Sequence, residues 1–155
     1  MGLHQSLIAT VLFCTPMLVP QMLAATEADV PAKITQLSEE PISTADLKRE
    51  GFATPQTTAR TFMWSLRERD ADCLRTCFTT PSKMEPVDFN VESIKEASER
   101  ANGFQAMAIR TIDDSTVDLK FRVIGWGDKP FSHRLKRVGD AWKLDSDSNT
   151  TEPNW

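Results

Sequence analysis

The chain has 155 residues, which is enough for one domain. Its 18 Lys and Arg against 22 Asp and Glu give a net charge of −4 at pH 7, and this mild acidity argues against a nucleic-acid-binding protein. Tyr is absent, so a common hydrogen-bond donor of buried catalytic sites is missing.

The first 25 residues contain no Lys, Arg, Asp or Glu and are predicted to form a signal peptide. An apolar run from Leu7 to Ala25 ends in small residues, which suit cleavage after Ala25 or after Ala28. Pro16 and Pro20 interrupt the run, which is short for spanning about 30 Å of hydrocarbon. We expect a secreted protein, periplasmic or extracellular, with no stable membrane span after cleavage. A retained membrane anchor is the alternative. The absence of Lys and Arg before the run counts against the signal-peptide prediction.

Residues 26–50 are polar, contain Pro31 and Pro41 and show no sustained periodicity. Such a composition is typical of a flexible linker. The folded domain is therefore predicted to span residues 51–145, from Gly51 to Asp145. A polar, loose tail is predicted over residues 146–155.

The first predicted helix begins after Thr54. This residue is a good N-cap, and Pro55 suits the first helical position because no amide hydrogen is needed there. Apolar residues then recur at helical spacing and form one stripe: Ala59, Phe62, Met63 and Leu66. We expect this stripe to face the core.

Two further helices are predicted. Asp70 is expected to cap a short one from Ala71 to about Phe78, and Asn90 is expected to cap one that runs to Ala101. A loop over residues 82–89 separates them.

From residue 104 the apolar period changes to two, which predicts four antiparallel strands. The predicted strands are Phe104–Ile112, Thr116–Trp126, Phe131–Val138 and Ala141–Asp145. A sheet with one apolar face needs a cover, and the first helix is the natural one. The predicted fold class is therefore α+β, with N-terminal helices packed on a curved antiparallel four-stranded sheet.

Two stretches of this domain carry a resemblance to a known superfamily. The first comprises GFATP at 51–55, FMWSLR at 62–67, Arg69-Asp70 and Cys77-Phe78, and the second is LKRVGDAWKLD at 135–145. Together they resemble nuclear transport factor 2-like domains of small exported bacterial proteins, a superfamily with a cystatin-like cone that includes SnoaL-like and ketosteroid isomerase-like enzymes. The resemblance implies a cone-shaped cavity between helix and sheet. That cavity serves isomerases, dehydratases, cyclases, ligand binders and interaction modules, so the resemblance implies a fold and leaves the function open.

His133 is the candidate acid/base residue and the one histidine outside the predicted signal peptide. On the strand alternation it shares a face with Phe131 and Leu135, so we expect it to point into the cone. A buried histidine beside a carboxylate can act as a general base near neutral pH. The sequence places no carboxylate to orient the ring, because Asp118 is predicted on the outer sheet face and Asp128 in a turn. The favoured interpretation is a hydrogen-bonded structural histidine.

Cys73 and Cys77 lie four residues apart on the short second helix. Redox-active thiols usually have two intervening residues, and one cysteine pair with one distant histidine gives too few ligands for a metal. A disulfide at this spacing would strain a regular helix. No metal site and no cofactor are therefore predicted; Cys77 is expected in the core and Cys73 half-exposed.

Two tryptophans and a set of basic residues are the other candidates for binding. Trp64 and Trp126 are predicted, with His133, to contact a ligand at a pocket mouth, although core packing is the more frequent role of such residues. The basic residues predicted on the outer sheet face are Lys120, Arg122, Arg134 and Lys136. An anionic polysaccharide or lipid head group would fit such a face, and a solvated sheet surface is the more frequent explanation.

The leading hypothesis is an exported, non-catalytic domain that binds a small ligand or an envelope protein. One alternative is a small SnoaL-like or ketosteroid isomerase-like enzyme that uses His133 as acid/base. Another is a homodimeric subunit of an envelope assembly that pairs through the outer sheet face.

Overall fold

The computed structural model describes residues 32–81, 91–127 and 129–155. The predicted signal peptide, the predicted loop over residues 82–89, the predicted helix cap Asn90 and the turn residue Asp128 lie outside these ranges. The described residues have an α+β fold with a six-stranded antiparallel sheet. None of their helices combines the length and the apolar character that crossing a membrane requires.

Helix α1 spans Pro55–Glu68 and begins where the sequence predicts. The Thr54 side chain accepts a hydrogen bond from the Thr57 amide, and the Thr57 side chain accepts one from the Thr54 amide. This reciprocal pair satisfies two amides that a helix start would otherwise leave free. Ala59, Met63 and Leu66 are buried, which confirms the predicted apolar stripe at these positions.

Helix α2 spans Ala71–Thr76, and the Asp70 side chain caps it by accepting from the Cys73 amide at 2.9 Å. Helix α2 ends at Thr76, two residues before its predicted end at Phe78, because the main chain that follows is hydrogen-bonded to the last strand. The Leu144 amide donates to the Cys77 carbonyl at 2.8 Å, and the Thr79 amide donates to the Leu144 carbonyl at 2.8 Å. Helix α3 spans Val91–Arg100.

The sheet contains two strands more than the four predicted. Strands β1 (Lys33–Gln36) and β2 (Ile42–Ser43) both pair with β3 (Gly103–Asp113). The order then continues through β4 (Thr116–Ile124), β5 (Phe131–Val138) and β6 (Ala141–Leu144). Every pair is antiparallel, and the sheet does not close into a barrel.

The prediction of a linker over residues 26–50 is wrong for residues 33–47. All four side chains of β1 are exposed, so the strand has no apolar alternation and is held by its main-chain pairing with β3. The Leu37 amide extends this pairing by donating to the Met107 carbonyl at 2.8 Å. Leu47 is 2% exposed and belongs to the hydrophobic core.

Strand β4 ends at Ile124, two residues before its predicted end at Trp126. The cause is Gly125, which has φ +98° and lies so close to α3 that a Cβ would stand 1.9 Å from the Arg100 carbonyl oxygen. The chain must therefore turn at this glycine. The Trp126 ring that follows donates from Nε1 to the Ala97 carbonyl at 3.2 Å.

Candidate functional site

A cavity of about 70 Å³ lies between α1 and the sheet. Its wall is mainly apolar: Ala59, Phe62 and Met63 from α1, Phe78 after α2, and Phe104, Leu119, Phe121, Leu135 and Leu144 from the strands. His133 and Thr150 complete the described wall. This volume holds a few water molecules or a small apolar group, and is smaller than the roughly 150 Å³ of a cavity that takes benzene.

His133 provides the polar end of the cavity. It stands on β5 opposite Leu119, on the apolar side of the sheet as predicted, and is 8% exposed. Its Nδ1 lies 2.9 Å from the Thr150 hydroxyl oxygen. Its Nε2 is buried and makes no hydrogen bond of normal geometry to the described residues, although the Asp145 main chain lies near the ring. A buried ring nitrogen without a partner costs free energy, and a bound molecule could recover it.

Burial lowers the pKa of His133 below its ordinary value of 6.5. The Asp145 main-chain carbonyl and the negative charges of Asp145 and Asp118 oppose this shift without reversing it. The ring is therefore neutral at pH 7, so one of its nitrogens carries a proton and the other accepts a hydrogen bond.

The nearby carboxylates are engaged elsewhere. Asp118 accepts hydrogen bonds from Arg110 and Arg134, and Asp145 pairs with Lys136 at 2.9 Å. His133 is the one titratable side chain among the described lining residues. The described lining residues therefore form an apolar cavity with one polar end, at His133 and Thr150.

The two predicted tryptophans do not join His133. Trp64 and Trp126 are partly buried and pack against the hydrophobic core, and neither lines the cavity. Trp126 instead lines a separate open groove beside α3, together with Phe131, Glu96 and Arg100.

Thr150 is a site residue that the sequence does not reveal. It lies in the predicted loose tail, where a polar stretch has no periodicity to indicate contact with the core. The next residue, Thr151, pairs with Ser132 through two main-chain hydrogen bonds of 2.7 and 2.9 Å. The tail is therefore packed against β5, and the prediction of a loose tail is wrong here.

Cys73 of α2 and Cys77, which directly follows this helix, are both buried and free. Cys73 is 4% exposed, so the prediction that it is half-exposed is wrong; Cys77 lies in the core as predicted. Burial raises the pKa of Cys77 to about 12, with the neighbouring Cys73 adding to the effect, so neutral pH yields essentially no thiolate. Among the described residues, no group of three His, Cys, Asp or Glu side chains could hold a metal ion.

The basic residues of the outer sheet face all have partners. Arg134 donates to Asp118 at 2.8 Å, Arg122 to Gln105 at 2.9 Å and Lys120 to the Trp155 carbonyl at 2.9 Å. Lys136 pairs with Asp145, as described above. Asp118, predicted on the outer face, is there but only 3% exposed. Arg134 and Lys136 are therefore paired with carboxylates, whereas Arg122 and Lys120 donate to neutral oxygens, and the tail covers part of this face.

No family model, curated protein or solved structure matches this chain.

Proposed function

We propose that this chain is a non-catalytic binding domain whose cavity receives the apolar end of a small, uncharged ligand. The observation that carries the proposal is His133, which lines a mainly apolar cavity together with Thr150 and whose buried Nε2 makes no hydrogen bond of normal geometry to the described residues. A ligand hydroxyl or carbonyl would satisfy this nitrogen, since the neutral ring can present either a donor or an acceptor. The Thr150 hydroxyl can adapt to either tautomer by rotation.

The class of ligand follows from the wall of the cavity. A charged group would lose its hydration among Phe62, Met63 and Leu135 without meeting an opposite charge. An alkyl group would gain from burial, and one hydroxyl or carbonyl would find His133. A small alcohol, a ketone or the end of a larger neutral molecule therefore fits best.

The proposal extends to the fold and the location. We propose that the domain is a variant of the nuclear transport factor 2-like cone, supported by a cavity between α1 and the sheet. Strands β1 and β2 would then be additions outside the resemblance, which begins at Gly51. We further propose export to the periplasm or the extracellular space, supported by the composition of the first 25 residues.

Binding can be tested by NMR titration of the full chain with 2-butanol, butyrate and butylamine. We expect 2-butanol to shift the His133 ring nitrogens and the methyl groups of Met63 and Leu135, and the two charged probes to leave them unmoved. His133→Phe keeps a ring but removes the hydrogen bond, and should weaken binding about threefold to tenfold. Ala59→Leu should fill the cavity and abolish binding, whereas Ala45→Leu, at an exposed position, should not.

Two results would overturn the proposal. One is the absence of any shift at His133 or Met63 with 2-butanol in the folded protein. The other is isomerase turnover of a ketosteroid that disappears in His133→Phe, which would establish the enzymatic alternative instead.

A further inference from the structure

A second cavity, of about 250 Å³, lies on the other side of the sheet, beneath the C-terminal tail. The strands contribute Arg110, Asp118, Ser132 and Arg134 to its wall. Asp118 alternates with the core residue Leu119 along β4, so this cavity and the one at His133 lie on opposite sheet faces. The tail forms the outer wall, which includes Ser148 and Trp155.

The floor of this cavity is a fixed array of planar polar groups. Arg110 donates to Asp118 through Nη2 at 2.6 Å, and Arg134 donates through Nε at 2.8 Å. Both guanidinium groups are therefore held in place by hydrogen bonds to one carboxylate. The Nη1 atoms of the two arginines have no hydrogen bond to the described residues, and these donors remain for another molecule.

The wall carries no net charge. Arg110 and Arg134 supply two positive charges, and Asp118 and Glu152 supply two negative ones. Both carboxylates already have cationic partners, Glu152 being paired with Lys129 at 2.8 Å. The lining side chains therefore carry no excess of either charge, and a neutral molecule with many hydroxyl groups meets donors and acceptors together.

Two tail residues add to this chemistry. The Ser148 hydroxyl is buried and has no hydrogen-bond partner among the described residues, although buried hydroxyls almost always have one. Trp155 adds an apolar surface whose position is fixed by the Arg110 guanidinium, 5.0 Å from the ring centre, and by the Lys120 ammonium, 5.5 Å away. A sugar ring presents hydroxyls at its edge and C–H groups on its faces, and this wall offers partners for both.

We propose that the cavity beneath the tail is a second ligand site, for a neutral polyhydroxy compound of sugar size. It shares no lining residue with the cavity at His133. The inference therefore stands or falls independently of the function proposed above.

The test is NMR titration of the full chain with glucose, glucuronate and inorganic phosphate. We expect glucose to shift the Trp155 indole and Ser148 signals while the His133 ring signals stay unmoved. Ser148→Ala should weaken glucose binding about threefold to tenfold, as expected for one lost hydrogen bond. Ser38→Ala, at an exposed position, is the matched control and should bind as the native chain does. Trp155→Ala should also weaken binding, and His133→Phe should not.

Three results would overturn this inference. The first is no shift at Trp155 or Ser148 with glucose. The second is binding of phosphate and glucuronate without glucose, which would define an anion site. The third is equal affinity of Ser148→Ala and the native chain for glucose.

Discussion

At the scale of single residues, the buried histidine shows what an alternation pattern can and cannot reveal. The period of two along β5 places His133 on the core side, and the structure confirms it. The partner of the ring, Thr150, lies 17 residues further along the chain in a polar stretch. No local pattern connects the two, because that contact depends on the path of the tail around the edge of β5.

The lowered pKa of His133 predicts a pH dependence of stability. Burial makes the folded state bind a proton less readily than the unfolded state, whose His titrates near 6.5. As the pH falls through this value, the unfolded state gains protons that the folded state does not, so the free energy of unfolding decreases. When the free energy of unfolding is measured with urea, its decrease from pH 7 to pH 5 should therefore be larger for the native chain than for His133→Gln. Equal losses in the two proteins would contradict the prediction.

At the scale of elements, a bulge in β3 explains why the charged network on the outer sheet face was not predictable. Ala106 is opposite Phe121, but Ala108 is opposite Lys120, so one extra residue, Met107, interrupts the alternation. Without it, Arg110 would share the core side with Ala106. The bulge moves Arg110 to the outer side, opposite Asp118. Alternation alone places Asp118 correctly but cannot locate a bulge.

Asp118 joins three strands and is therefore expected to contribute to their stability. It lies on β4 and accepts hydrogen bonds from Arg110 on β3 and Arg134 on β5. An Asn side chain has no charge and one acceptor oxygen, so Asp118→Asn should lower the free energy of unfolding by about 1–3 kcal/mol at pH 7. Asp140→Asn, in the exposed turn between β5 and β6, should change it by less than about 0.5 kcal/mol.

The effect of Asp118→Asn on the free energy of unfolding should also depend on pH. Burial would raise the pKa of Asp118, but the hydrogen bonds and charges of Arg134 and Arg110 outweigh it and lower the pKa below 3.8. A carboxylate with a lowered folded pKa contributes stability above its ordinary pKa, and this contribution is lost as the pH falls through the folded value. The difference between Asp118→Asn and the native chain in urea unfolding should therefore be smaller at pH 3 than at pH 7. If the difference in the free energy of unfolding were the same at both pH values, the charge of Asp118 would not be the cause of that difference.

At the scale of the whole molecule, the domain begins earlier than its sequence indicates. Helices with amphipathic stripes and strands with one core face are predictable, because burial imposes a period on the sequence. An edge strand with both faces exposed has no such period, since its main chain makes the contacts. The resemblance also starts at Gly51. Neither the periodicity of the sequence nor the resemblance therefore predicts β1, β2 or the short 3-10 helix Thr44–Asp46.

Leu47 and Ile34 make the extended domain boundary testable. Both are aliphatic residues of the segment predicted as a linker, but Leu47 is 2% exposed in the core whereas Ile34 is 45% exposed on β1. Leu47→Ala should lower the free energy of unfolding by about 2–4 kcal/mol, because it removes buried methyl groups and leaves a cavity. Ile34→Ala should change it by less than about 0.5 kcal/mol. Both values can be measured by urea unfolding of the full chain at pH 7. If both variants changed stability equally little, residues 33–47 would act as a linker after all; a large effect confined to Leu47 would make them part of the cooperative fold.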